Sequence, residues 1–400
     1  MKPTARNGSP QGLPFTRFGL IALLVGVVLA LLCAAGWRFH PAQFFPAYLV
    51  AMLFWLGISL GCLAIVMLHH LTGGGWGLPI RRALEAAAST LPLLAVLFLP
   101  LLWGLPELYL WARPDEVAGD EILQKKVQYL NVDGFQMRAA AYFIVWILLA
   151  FVLNRWSAGT DAALEPQRRR WLALLSGPGL VLWCLTVTFA AIDWGMSLEP
   201  HWFSSIYGVL FIGGQGVAGL SLAILIVSIL RAHPPWSDDL TLPRLNDLAS
   251  LLLAFVLFWS YVSFTQFLII WSGNLPEETP YYLHRSAGGW QWIAAALATL
   301  HFLVPFLLLL SRQTKRNPRW LAGIAALLLM MRFVDLYWLV MPTFSPGRFT
   351  LHWLNLVAPL AVGGLWLAIF TWRLSARAAL PVYDLSEEEE PAHDAARATN

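Results

Sequence analysis

The chain is 400 residues long, 58% hydrophobic and only 12% charged, with a formal net charge of +3. Soluble domains carry about 25% charged residues, so this balance excludes an ordinary soluble protein and indicates one solvated by lipid. Cys33, Cys62 and Cys184 each stand alone in apolar runs. No C-x-x-C, haem-attachment C-x-x-C-H or zinc spacing exists, so no metal set is expected and any redox centre belongs to a partner.

In chain order, MKPTARNGSPQGLPFTRF is polar for its first 16 residues and runs into an apolar stretch too long for a signal peptide, with no small-residue cleavage site after it. The expectation is a retained tail, 1–16. A membrane domain, 17–374, follows. It contains ten apolar stretches: 18–37, 43–69, 86–109, 135–154, 171–193, 201–230, 248–272, 288–311, 320–341 and 350–372. Each suffices to cross a hydrocarbon core of roughly 30 Å, which takes about 20 helical residues. Helix is the expected form, because open strands leave backbone groups unpaired in lipid and no ten-residue alternation marks a barrel. The fold class is therefore an all-α integral membrane protein with ten transmembrane helices. The last segment, 375–400, contains SEEEEPAHDAARATN and reads as an acidic, disordered tail.

Lysine and arginine set the orientation. Eighteen of the 26 lie in the two tails and in the loops after the second, fourth, sixth and eighth spans, against six in the opposite loops. Both termini are expected in the cytoplasm. Trp37, Trp111, Trp194, Trp202, Trp271 and Trp290 fall at the predicted outer boundaries, where interfacial aromatics are expected. The outer loops are short except for 110–134. No P-loop, paired haem-ligand histidines or soluble domain is present, and no nucleic-acid partner is expected.

Ionisable side chains inside apolar spans are costly and mark candidate functional sites. Glu107, Arg138, Asp193, His201, Arg332, Asp335 and His352 fall toward the outer side, and His69, His70 and Glu85 toward the cytoplasm. Asp193 and His201 bracket DWGMSLEPHW, whose Pro200 stops one helix and lets another begin. Two readings stand: both side chains turn back into the bundle as a proton route, or Asp193 caps the next helix while Glu199 is solvated. Arg332 and Asp335, at i and i+3, are placed to neutralise each other, as a structural lock or as part of a site. His301 is the lone histidine near mid-membrane, a satisfied core residue or a proton-relay link. Glu85 marks the cytoplasmic side of a path with His69 and His70, or instead caps the third helix or pairs with Arg81 or Arg82. In GGQGVAGLS, Gly213, Gly214, Gly216 and Gly219 favour close helix contact. Tyr261, Ser263, Thr265 and Gln266 form a polar stripe on the seventh span, suited to interhelical hydrogen bonds. No inverted repeat with broken helices marks a secondary transporter.

DWGMSLEPHWFSSIYGVLF, YLNVDGFQMRAAAYFIVW, FTQFLIIWSGNLPEETPYYLHR, HFLVPFLLLLSRQTKR and MMRFVDLYWLVMPTF resemble segments of the F subunits of bacterial alternative complex III, within the NrfD/PsrC-like family of quinone-interacting membrane subunits. The resemblance runs from about residue 43 to 373, and NLPEETPYYLHR is its most specific part. It implies ten helices, the middle eight forming two four-helix bundles with two peripheral helices, and a cytoplasmic N-terminus in the inner membrane. It further implies a respiratory complex in which quinol, menaquinol or ubiquinol, is oxidised near the periplasmic face. The implied partners are a homologous NrfD-like membrane subunit, an iron-sulphur subunit and haem c subunits, which carry the electrons to cytochrome c or an oxidase. In such complexes the better-supported quinol site belongs to the homologous subunit. On that likeness Asp193, His201, Glu107, Arg332, Asp335 and His301 are carried over as a proton route or quinone-proximal surface. The alternative is a purely structural platform of the same complex.

Overall fold

The computed structural model describes residues 15–157, 166–232 and 240–378. Among the described residues there are ten helices long and apolar enough to cross a membrane, and no strand. In chain order they are α1 (Phe15–Phe39), α2 (Pro41–Thr72), α3 (Gly75–Trp103), α4 (Val132–Ser157), α5 (Pro166–Trp194), α6 (Tyr207–Leu230), α7 (Leu242–Gly273), α8 (Trp290–Leu310), α9 (Pro318–Val340) and α10 (Leu354–Ala378). This is a multi-span all-α membrane architecture. The expected tails 1–16 and 375–400 lie mostly outside the described residues.

The bounds differ from the sequence expectation by up to six residues in nine of the spans and by more in the third. The third span, expected at 86–109, begins earlier: helix runs Leu78–Ala88, turns at Ser89–Thr90 and resumes at Leu91–Trp103. Its Arg81, Arg82 and Glu85 are buried. Hydropathy discounts each charge singly, whereas these are buried together, with Arg81 Nε 3.2 Å from Glu85 Oε1. The sixth span, expected from 201, begins at Tyr207. After Trp194 the chain makes one 3-10 turn, Met196–Leu198, and residues 201–206 are not helical.

Enclosure sorts the helices by position. The most apolar 18-residue window of α2 is 83% buried and that of α1 only 11%, so α2 is the axis of the molecule and α1 its rim. α2 packs on α3, α5, α6 and α10; α6 packs on α5, α7 and α9; α4 on α3 and α5; α8 on α7 and α9; α1 runs along α10. Small residues let these backbones approach. A methyl group on Gly219 would lie 2.6 Å from the carbonyl carbon of Gly61, at the α2–α6 crossing. The glycine-rich run therefore serves close packing.

The boundary tryptophans divide. Trp37 and Trp271 are exposed, but Trp111, Trp194, Trp202 and Trp290 are buried. Trp194 stacks among Phe98, Tyr142, Phe143 and Trp146, so an aromatic at a span boundary is here more often core than interface. The long 104–131 connection folds as short helical pieces, Leu105–Leu108, Leu110–Ala112, Pro114–Gly119 and Glu121–Lys126.

Candidate functional site

Asp193, in the last turn of α5, is completely buried. Arg138 of α4 holds it in a fork, Nε donating to Oδ2 and Nη2 to Oδ1, both at 2.9 Å. The Tyr142 hydroxyl, one turn along α4, donates to Oδ2 at 2.8 Å. A buried carboxylate is tolerable only when its lone pairs are filled in this way. Arg138 itself is only partly covered, with 23% of its side chain exposed, and its Nη1 donates to the Tyr129 carbonyl at 3.0 Å. Asp193 therefore neither caps the following turn nor meets His201.

His201 is exposed and turns the other way, its Nε2 lying 2.5 Å from Asp120 Oδ2 in the 104–131 connection. Asp120 also caps the helix Glu121–Lys126, accepting from the Ile122 and Leu123 amides. The His201 hydrogen bond, followed by these amides, holds the Asp120 carboxyl below its ordinary value of 3.8. Nearby, Lys126 Nζ donates to the Pro200 carbonyl at 2.6 Å, a second tie between the connection and the turn after α5.

Glu199, solvated in one of the two readings of this turn, is instead mostly covered. Arg285, 2% exposed, sits with Nη1 2.7 Å from Glu199 Oε1, and the Thr343 hydroxyl donates to the same oxygen at 2.9 Å. Arg285 also donates to the Tyr281 and Leu339 carbonyls, both at 2.8 Å. Its guanidinium lies 3.5 Å from the centre of the Tyr281 ring, which stacks on Trp202 at 3.8 Å. The turn after α5 is thereby bolted to the α7–α8 connection and to the end of α9.

A third centre lies in the core of α9. Arg332 and Asp335 form an ion pair through Nη1 and Oδ2, and both are about 3% exposed. Trp259 of α7 donates from Nε1 to the same Oδ2 at 3.1 Å. The Arg332 guanidinium lies over Gly214, where any side chain would collide with it. His301, completely buried, packs on the Trp259 ring with centroids 3.9 Å apart. It stands in a π-helical segment of α8, Leu297–Leu303, and neither ring nitrogen has a hydrogen-bond partner. Single π-turns inside α-helices are frequent at functional sites.

The remaining candidates separate from these centres. Glu107 is exposed in the helix Leu105–Leu108 and joins no ion pair among the described residues. At the other end of the bundle Glu85 pairs with Arg81 and accepts from the Ser157 hydroxyl, while Arg81 Nη2 donates to that hydroxyl at 2.8 Å. Asn154 donates to the Glu85 carbonyl and to Ser89 Oγ. His69 Nε2 faces the Gly74 carbonyl at 3.1 Å, and His70 Nε2 is buried without a partner. On the seventh span, Tyr261 faces outward and Gln266 is the interhelical bonder, accepting from Ser204 Oγ and donating to Tyr282.

Sequence reasoning placed Arg138 among the ionisable candidates without assigning it a partner, and passed over Tyr142, Arg285 and Glu199 as site residues. The signal for Arg138 was present: one arginine inside an apolar span needs an acid. Its acid lies 55 residues away on another helix, beyond any local spacing rule. Among the described residues no group of three or more His, Cys, Asp and Glu gathers as a metal site. Comparison with protein-family models and with curated proteins gives no match.

Proposed function

We infer that this chain is a membrane subunit of a bacterial respiratory complex that oxidises quinol, of the NrfD/PsrC-like kind found in alternative complex III. It sits in the inner membrane with both termini cytoplasmic. Iron-sulphur and haem c centres of partner subunits carry the electrons, and a homologous membrane subunit is its neighbour. The observation that carries this reading is convergence. The segments that bear the resemblance are scattered over 200 residues, yet their polar side chains bond to one another: Arg138 to Asp193, Arg285 and Thr343 to Glu199, and Gln266 to Ser204. The helix neighbourhoods support the two-bundle plan, with α2 to α5 in one group, α6 to α9 in the other, α2 against α6 at the seam, and α1 with α10 outside.

Within this reading the two acid-arginine centres have different roles. Asp193, with both oxygens filled, is a lock between α4 and α5. Asp335, with Arg332, Trp259 and the unbonded His301, is the proton-handling group near the quinol-oxidising side. Purification from native membranes is the test. The chain is expected to co-purify with multihaem cytochrome c and iron-sulphur subunits. Asp335→Asn should lower quinol turnover or its coupled proton release at least roughly tenfold, while Asp193→Asn should leave the turnover of assembled complex near that of the parent. A chain that purifies without redox partners sinks the reading. Saturation of Asp193 favours a second reading, a platform without a titrating role, and unchanged turnover and coupling in Asp335→Asn would select it.

A further inference from the structure

Where α2, α5 and α6 meet there is a narrow cavity of about 10 Å³, the space of a single water-sized sphere. Apolar groups such as Leu56, Ala191 and Phe211 form most of its wall, and three side chains with a polar atom join them, Trp146 of α4, Trp194 of α5 and Gln215 of α6. Trp194 and Gln215 are both at least 95% buried. Trp194 Nε1 and Gln215 Oε1 have no hydrogen-bond partner. An indole nitrogen only donates and an amide oxygen only accepts, and each is costly to leave bare. Trp146, the other indole in the wall, is already satisfied, donating to Thr186 Oγ1 at 2.8 Å.

We propose that this cavity is a binding site for one internal water, which accepts from Trp194 Nε1 and donates to Gln215 Oε1, joining α5 to α6 across the centre of the molecule. The site does not depend on the respiratory reading. The cavity lies beside both buried ion pairs: Trp194 follows Asp193 directly, Gln215 follows the Gly214 on which Arg332 rests, and Phe211 in the wall lies 5.7 Å from the Arg332 guanidinium. A water here joins α5 to α6 between them.

Gly57 also lines the cavity, and a methyl group there would meet only Gln215 Cγ, at an ordinary 3.6 Å. Gly57→Ala therefore fills the space without a clash. The test uses the full-length protein in lipid nanodiscs. A high-resolution density map should show a solvent peak within hydrogen-bonding distance of Trp194 Nε1 and Gln215 Oε1. Gly57→Ala should abolish that peak and lower the thermal unfolding midpoint, since it expels a bonded water. Trp194→Phe and Gln215→Leu should each lower the midpoint, and the double variant should fall by less than the two single shifts combined. A map with no peak, or with Trp194 bonded directly to Gln215, overturns the site. So does a peak that persists in Gly57→Ala, whose methyl group takes the same space.

Discussion

Asp193 and Asp335 are both carboxylates buried among apolar helices and paired with arginine, yet they are built on opposite plans. The Asp193 pair spans two helices, uses both carboxylate oxygens in a planar fork, and has an arginine that reaches partly into the open. The Asp335 pair lies within one helix at i and i+3, is enclosed on all sides, and receives Arg332 and Trp259 on a single oxygen. The first plan cross-links two rods and fills both oxygens of its carboxylate, although Trp194 Nε1 and the Tyr129 hydroxyl beside it have no partner. The second fixes the rotation of α9 without tying it to a neighbouring charge, and beside it an imidazole with two bare nitrogens is tolerated. Pairing alone therefore does not separate a lock from a site; what differs is whether both oxygens of the carboxylate are bonded or only one.

The largest way to break this contrast is at α9. Arg332→Met leaves Asp335 buried without its counter-charge and should cost about 3–5 kcal/mol, read as lost folded yield and a lower unfolding midpoint in detergent. Arg332→Met with Asp335→Leu should restore most of that loss, because the pair is then replaced by apolar packing rather than broken. At α4, Arg138→Met should cost about 2–3 kcal/mol, below the enclosed pair because water reaches the vacated space beside Asp193. Equal losses at the two sites would erase the distinction drawn between them.

A smaller effect is expected where α2 and α6 cross, a seam of close backbone contact. Gly219→Ala pushes α6 away from Gly61 and should cost about 1–3 kcal/mol as overpacking, measured by thermal unfolding. Loss at Gly219 without loss of either ion pair would show that the seam and the charged centres are energetically separate. The smallest effect is one of pH at the Asp120–His201 tie. The folded carboxyl lies below its ordinary value of 3.8. The tie therefore contributes fully above that value and is lost as pH falls through the depressed one. Pepsin digestion across falling pH should find the Pro114–Lys126 segment resistant until the pH drops below 3.8 and cleaved beneath it. Cleavage that begins well above that value would show that the tie does not hold the segment.

The crossings were legible because a run of about 20 apolar residues has no other stable home. Nine of the ten fell within six residues of the helices observed. The third did not, since charges that neutralise each other inside α3 look like loop; the sixth was begun six residues early, since a turn rich in aromatics after Trp194 looks like helix. Asp193, Arg332, Asp335 and His301 stood out as ionisable groups in apolar surroundings, and all four are buried. The partners of Asp193 and Glu199, and the exposure of His201 and Glu107, did not stand out. Adjacency in sequence placed His201 with Asp193, while the non-helical stretch after Pro200 turned it toward Asp120 instead.

Sequence alone determined the solvent, the number of rods and the local i, i+3 pair on α9, because hydropathy and helical spacing act over a few turns of one segment. Which arginine answers which acid, which tryptophans are core, and that Trp194 and Gln215 line one cavity were decided only when the helices packed. Those outcomes depend on distances between segments tens to hundreds of residues apart, fixed by glycine contacts such as Gly61 with Gly219 and by the need to fill every buried hydrogen-bonding group.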